Sequence, residues 1–282
     1  MMPVLTEKSW TMPIPVIGIF AICLYTVSGL LLAMRLWRGV ESTPAAKTGI
    51  LTLGLGAVIL HAALLYTGIL TQGGLNLGIF NAASLIGWLM ALLLLIAATR
   101  QPVENLGIVL LPLAALTLGL DRLFTSEHLL HTANPWELDA HILISVVAYS
   151  LLSIAALQAI LLAIQDYHLR NRHPGGFIRA LPPLQTMEIL LFRMIGIGFV
   201  MLSLALLSGI IFLKDIFEQH LAHKTILSII AWLVFAVLLW GRQRYGWRGR
   251  IAIRYTLSGF ILLMLAYFGT KLVFELVLHR AY

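Results

Sequence analysis

Charged side chains are scarce in this sequence. Asp, Glu, Lys and Arg make up 11% of its 282 residues, whereas soluble globular domains contain about a quarter. Hydrophobic residues make up 60%, and several apolar runs reach the roughly 20 residues that a helix needs to cross a bilayer. The composition therefore predicts a polytopic membrane protein and excludes an ordinary soluble domain.

Cysteine is almost absent, because the chain contains only Cys23, inside the first apolar run. One cysteine cannot form an intramolecular disulfide, and there is no CxxC pair or zinc-binding set of cysteines. The sequence also has no nucleophile elbow and no phosphate-binding loop. Hydrolase and NTPase activities are therefore not indicated. An enzyme in the strict sense is not expected, since any chemistry would belong to a bound cofactor.

Eight apolar runs predict eight membrane-spanning helices, and hence an all-α bundle that forms a single membrane domain over residues 1–282. The Pro182-Pro183 pair breaks the chain before the sixth run, and the apolar spacing after it predicts a short interfacial helix on the cytoplasmic side near residues 184–192. The predicted spans are residues 13–36, 49–70, 79–99, 106–120, 139–165, 194–213, 225–241 and 251–277.

Lysines and arginines are divided unequally between the two sides of these spans. Thirteen of the 19 fall in alternate connections on one side, and five of them lie in or beside the segment "GRQRYGWRGR". Cytoplasmic connections carry the excess of Lys and Arg in multi-pass proteins, so both termini are predicted to lie outside, on the periplasmic side. The net charge of +7 is then an orientation signal. Membrane lipid is the expected contact of these arginines, and no nucleic acid is expected.

Histidines concentrate on the predicted outer side. Seven of the nine lie inside a span or on the outer side of the spans, whereas His168 and His173 are cytoplasmic. Imidazoles gathered at one depth are what a metal or haem site facing outward requires. The seven are His61, His128, His131, His141, His220, His223 and His279.

Each candidate histidine also has an ordinary structural interpretation. His61 lies among apolar residues, where burial without a partner is costly, so the alternative to a ligand is a hydrogen bond to a neighbouring helix. For His141 the alternative is a place in the first turn of a helix capped by Asp139.

His223 and Lys224 either form a solvated turn or contact haem. His279 shares a helix face with Lys271 and Glu275, which can form an ion pair.

Haem is the ligand that fits these residues most simply. Two neutral imidazoles from different helices can hold haem iron from both faces, an apolar bundle can enclose the macrocycle, and cations such as Lys224 can meet the propionates. A divalent metal ion fits less well, because few carboxylates accompany the histidines.

The second half of the chain resembles a known family. The segment "HILISVVAYSLLSIAALQAILLAI", the Pro-Pro-Leu-x-x-x-Glu run from Pro182, the Trp-Arg-Gly-Arg hairpin from Trp247 and the Tyr-Phe-Gly ending at Gly269 resemble the CcsA branch of the cytochrome c assembly superfamily. The resemblance extends in particular to its YpjD/HemX-like inner-membrane members. It covers residues 139–282 well, whereas residues 1–138 are divergent.

This resemblance implies a multi-pass protein of the bacterial inner membrane that handles haem, with haem b as the cofactor. Its partners would be proteins of cytochrome c maturation or of tetrapyrrole synthesis. His141 and His279 match the two periplasmic histidines of the family and are therefore the implied axial ligands of the haem iron. His61 corresponds to an early intramembrane histidine.

Two departures from the family pattern leave alternatives open. The segment "FLKDIFEQHLAHK" replaces a tryptophan-rich loop that presents haem in cytochrome c synthetases, and Trp240 stands where a second intramembrane histidine is usual. The main alternative is a membrane adaptor or regulator of tetrapyrrole synthesis that has lost haem delivery. A small-solute or ion transporter, suggested by the Lys271 and Glu275 pair, is the third possibility.

Overall fold

The computed structural model describes residues 14–38, 44–71, 74–124, 129–130, 135–171, 178, 181–212 and 219–269. Eight α-helices dominate this part of the chain. They are α1 (Ile14–Arg38), α2 (Pro44–Ile69), α3 (Ile79–Ala98), α4 (Gly107–Leu123), α5 (Pro135–Arg170), α6 (Leu184–Phe212), α7 (Gln219–Tyr245) and α8 (Arg250–Met264).

All eight helices are long and apolar enough to cross a membrane, which confirms the eight predicted spans. The fourth span includes the 3-10 turn Glu104–Leu106 before α4, and the eighth includes the π-helical turn Leu265–Gly269 after α8. Proline is the first residue of α2 and of α5. Amide groups in the first turn of a helix have no hydrogen-bond partner within the helix, so the N–H that proline lacks is not needed there, and the proline ring fixes φ near the helical value.

The helices pack as two groups of four. In the first bundle, α1 and α3 each contact both α2 and α4; in the second bundle, α5 and α7 each contact both α6 and α8. Contacts between α3 and α5 join the two bundles. Successive helices of the second bundle are antiparallel neighbours. The start of α5, the end of α6, the start of α7 and the end of α8 therefore lie at one end of this bundle.

A small antiparallel sheet was not predicted from the sequence. It consists of β1 (Leu70–Thr71), β2 (Gly74–Asn76) and β3 (Leu129–Leu130), with Leu75 paired to both Leu70 and Leu130. The sheet links the α2–α3 connection to the α4–α5 connection, which the distribution of arginines assigns to the same side of the membrane.

The prediction of a separate short helix near residues 184–192 is corrected by the structure. These residues are helical, but they form the first turns of the single helix α6, Leu184–Phe212. The Pro182-Pro183 pair lies just before this helix, and no proline interrupts the 29 residues that follow. Leu190 and Leu191 are buried in core clusters, so this segment is held by packing inside the protein.

Candidate functional site

His141 lies in the first turns of α5, against the last turns of α6. Its Nδ1 is 2.9 Å from the hydroxyl oxygen of Ser208, and that hydroxyl donates to the carbonyl of Ala205 at 2.9 Å. A serine has one hydroxyl proton to donate, so Nδ1 of His141 is the donor in its own bond. The lone pair is then on Nε2, and the hydrogen bonds of this ring to described residues go to Ser208 and to the backbone of Ala205.

This arrangement is the usual one for an imidazole that binds a metal. A ligating histidine normally donates its second ring N–H to a fixed acceptor, which sets the tautomer and the ring orientation. Ser208 is buried and His141 is half-buried, so the pair is held within the protein while the ring keeps a free nitrogen.

Gly209 provides room for the imidazole ring. A Cβ atom at this position would lie 3.3 Å from Cε1 of His141 and 3.8 Å from its Nδ1. The first distance is tighter than an ordinary van der Waals contact, so a larger residue here would push against the ring. The Ser208-Gly209 pair therefore both holds and accommodates His141.

The start of α5 differs from the alternative considered for His141, in which Asp139 caps the helix. The helix begins at Pro135, and Glu137 is the acidic residue of its first turn. The helix thus begins four residues before Asp139, where the predicted span starts. Asp139 therefore lies inside the helix and does not cap it.

A second hydroxyl on α6 joins this helix to α7. The indole N–H of Trp232 donates to the Ser203 hydroxyl at 2.8 Å, and Ser203 in turn donates to the Phe199 carbonyl at 2.8 Å. The rings of Phe199 and Trp232 stack at 5.4 Å between centroids. Serines on α6 thus fix both α5 and α7.

Tyr149 joins α5 to the last part of α8. Its hydroxyl donates to the carbonyl of Leu263, two residues before the π-helical turn Leu265–Gly269, and its ring lies 5.5 Å from that of Tyr267. Single π turns are rare and occur often at functional sites. The end of α8, which leads towards His279, is therefore anchored to the helix that carries His141.

Several predicted site residues are not fully described. His279, Lys271 and Glu275 lie outside the described residues. His223 lies in the first turns of α7, but its side chain is outside what the structure describes. Lys224 follows it and is half-buried, at the same end of the second bundle as His141.

His61 lies in the core of the first bundle and is completely buried. Its Nε2 is 2.9 Å from the hydroxyl of Ser84 on α3, and its Nδ1 is 3.3 Å from the hydroxyl of Tyr25 on α1. Both ring nitrogens thus have partners within the protein, which is the structural alternative considered for this residue. The structure places His61 and His141 in different bundles, and a role of His61 in cofactor binding stays a prediction.

The described residues contain no group of three or more His, Cys, Asp or Glu side chains that could hold a metal ion. Haem makes a different demand, since its iron takes only two axial ligands and the porphyrin supplies the rest. The free Nε2 of His141 fits one of those two places.

The residues that hold the two histidines were missed from the sequence. Ser208, Gly209, Tyr25 and Ser84 stand in apolar runs, where a single small or polar residue is common. The sequence does not identify them as partners of the histidines, because that requires knowing which helices pack together.

Comparisons with known proteins agree with the resemblance in the second half. The family model described as "Cytochrome C assembly protein" matches residues 49–278. The chain is 34% identical over 273 residues to "Inner membrane protein YpjD" of Escherichia coli K12, covering 93% of this chain and 99% of the relative.

More distant relatives match in part. "Cytochrome c biogenesis protein CcsA" of Chlamydomonas reinhardtii is 27% identical over 139 residues, which is 48% of this chain and 38% of that protein. The protein of the same name from Trichormus variabilis is 30% identical over 91 residues, which is 32% of this chain and 26% of that protein. With its eight apolar helices and its similarity to an inner-membrane protein, the chain is a multi-pass protein of the bacterial inner membrane that belongs to the cytochrome c assembly protein family.

Proposed function

We propose that this protein binds and handles haem at one end of its second bundle, with His141 as one axial ligand of the iron. The observation that carries the proposal is the hydrogen bond from Nδ1 of His141 to Ser208, which leaves Nε2 free to bind. Membership of the cytochrome c assembly family supports haem as the ligand, and the free imidazole supplies a suitable donor.

His279 is the proposed second ligand, on the segment that follows α8. Tyr149 supports this assignment. Its hydrogen bond holds the end of α8 against α5, so α8 ends close to the helix that carries His141. Lys224, and His223 beside it, are proposed to meet the propionates or to assist ligation. The bound haem would be b-type, held by side chains without covalent attachment; the protein would set its ligation and its exposure.

The test is an absorption spectrum of the purified full-length protein, oxidised and dithionite-reduced, before and after hemin is added. The variants are His141→Ala and His279→Ala. The matched control is His168→Ala, which removes a histidine from the other end of α5. We expect a Soret band and sharp reduced α and β bands in the unchanged protein and in the control.

Either site variant should lose the six-coordinate spectrum. If hemin produces no Soret band in the unchanged protein, haem binding is wrong. If the band persists unchanged in His141→Ala while the fold is intact, haem is bound elsewhere and the assigned ligand is wrong.

A second function is favoured by two features of the sequence. The connection from α6 to α7 contains no tryptophan in "FLKDIFEQHLAHK", and Trp240, in the place of the usual second intramembrane histidine, is 57% exposed and points away from the core. These features suit an adaptor or regulator of cytochrome c maturation or tetrapyrrole synthesis. Replacing His61, His141 and His279 together distinguishes the two functions: a regulator retains its effect on tetrapyrrole levels in cells, whereas a haem-handling protein loses its effect on them and on cytochrome c levels.

A further inference from the structure

A cleft lies between α5 and α8 at the end of the second bundle opposite to His141. Its volume is about 210 Å³. Because it lies where the arginine-rich hairpin joins α8, it belongs to the end of the bundle predicted to be cytoplasmic. It is lined by Ala163, Asp166, Tyr167, Arg250, Ile253 and Arg254.

Positive charge exceeds negative charge at the rim of this cleft. Asp166 is paired with Arg170 at 2.9 Å and with Arg250 at 3.6 Å. Arg254 is exposed and forms no ion pair or hydrogen bond with any residue that the structure describes. Three guanidinium groups and one carboxylate thus lie in or beside the cleft, which gives a net charge of +2, and Arg254 is the guanidinium group outside the ion pairs.

The floor and the approach to the cleft are apolar. Ile253 is buried and Ala163 is half-buried, and exposed isoleucines continue along both helices towards the middle of the membrane: Ile160 and Ile164 on α5, and Ile261 on α8. In a membrane-spanning helix, exposed apolar side chains of this kind face lipid chains. A ligand of the cleft would meet cations at one end and hydrocarbon at the other.

We propose that this cleft is a binding site for an anionic phospholipid. Its phosphate would lie between Arg254 and Arg250, because guanidinium groups bind phosphate through paired N–H donors. Its acyl chains would follow the exposed isoleucines. Basic pockets between helices on the cytoplasmic side are suited to acidic head groups, whereas a soluble phosphate would gain nothing from the apolar floor.

The test is lipid retention by the delipidated full-length protein in detergent, measured by native mass spectrometry during titration with phosphatidylglycerol or phosphatidylcholine. The variant is Arg254→Gln, and the matched control is Arg244→Gln, an exposed arginine of the same hairpin that does not line the cleft. We expect tighter retention of phosphatidylglycerol than of phosphatidylcholine. Arg254→Gln should weaken retention of phosphatidylglycerol about fivefold, the effect of one cation near an acidic head group.

Three outcomes would overturn the proposal: equal retention of both lipids, equal weakening by Arg254→Gln and Arg244→Gln, or complete displacement of the lipid by inorganic phosphate, which would make phosphate alone the ligand. Both variants replace exposed side chains, so circular dichroism should be unchanged. The lipid site does not depend on the haem proposal, because Arg254→Gln is expected to leave the hemin spectrum as it is.

Discussion

At the scale of single residues, the hydroxyl of Ser208 determines which nitrogen of His141 is free. Removing it in Ser208→Ala releases Nδ1, so the ring can rotate and change tautomer. Loss of such a supporting hydrogen bond typically lowers metal affinity by about 10- to 100-fold. We therefore expect hemin to bind Ser208→Ala at least about tenfold more weakly in a spectroscopic titration.

The control for this prediction is Ser203→Ala on the same helix. Its hydroxyl hydrogen-bonds to Trp232 and to the Phe199 carbonyl, whereas the hydroxyl that binds His141 is that of Ser208. Equal weakening in the two serine variants would mean that loosening of α6, and not the orientation of the imidazole, controls hemin binding.

The hydroxyl groups of Tyr25 and Ser84 stabilise the first bundle through His61. Each connects a different helix to the imidazole on α2, and hydrogen bonds between membrane helices contribute about 1 kcal/mol each. Tyr25→Phe and Ser84→Ala should each lower the free energy of unfolding by about that amount, measured by thermal denaturation in detergent. Thr26→Ala is the matched control, because Thr26 donates only to carbonyls of its own helix. A loss in the control as large as in the two variants would contradict this assignment.

The sequence indicates His141 and His61 as candidate site residues, but not which residues support them. His141 and His61 are recognisable because burying an imidazole in an apolar run costs free energy unless the ring has a hydrogen-bond partner or a ligand. Ser208 and Tyr25 become relevant only through helix partners 67 and 36 residues away in the chain. That pairing depends on how the bundles pack, which hydrophobicity alone does not encode.

At the scale of elements, helix number follows directly from run length, whereas helix ends do not. All eight spans were predicted, yet α5 extends from Pro135 to Arg170 around a predicted span of 139–165. Polar residues can continue a helix beyond the hydrocarbon region, because only the apolar part must match its thickness. The strands β1 to β3 were not predicted, because two- and three-residue strands have no hydrophobic period to detect.

The hairpin between α7 and α8 depends on Glu188 of α6. A carboxylate oxygen of this buried residue accepts the amide proton of Gly249, whose φ of 54° and ψ of −124° favour glycine. Glu188→Ala leaves that amide without its partner, so it should lower the free energy of unfolding by about 1–3 kcal/mol. Glu188→Gln keeps an acceptor oxygen and should cost less.

Thermal denaturation of the two variants tests this contribution, and amide hydrogen exchange of residues 246–250 reports the local effect. We expect faster exchange in Glu188→Ala than in Glu188→Gln. Equal stability and equal exchange in the two variants would mean that the hydrogen bond to Gly249 does not hold the hairpin.

At the scale of the whole molecule, α5 connects two chemically different ends of the second bundle. A 36-residue helix is about 54 Å long at 1.5 Å per residue, which exceeds the roughly 30 Å hydrocarbon core of a bilayer. Both ends of α5 can therefore reach the polar regions of the membrane. His141 and the lipid cleft around Asp166 are about 37 Å apart along this helix, so the two proposed sites lie on opposite membrane faces.

The orientation of these two ends can be tested by cysteine labelling. Cys23 is the single cysteine of the chain, so a Cys23→Ala background allows a cysteine to be placed at one exposed position at a time. Asp139→Cys lies at the start of α5, and Arg248→Cys lies in the arginine-rich hairpin; both positions are exposed. Because the hairpin is predicted to be cytoplasmic, a membrane-impermeant maleimide should label Asp139→Cys in cells with a permeabilised outer membrane, and Arg248→Cys only after lysis. The reverse pattern would place His141 at the cytoplasmic face and would contradict haem handling on the periplasmic side.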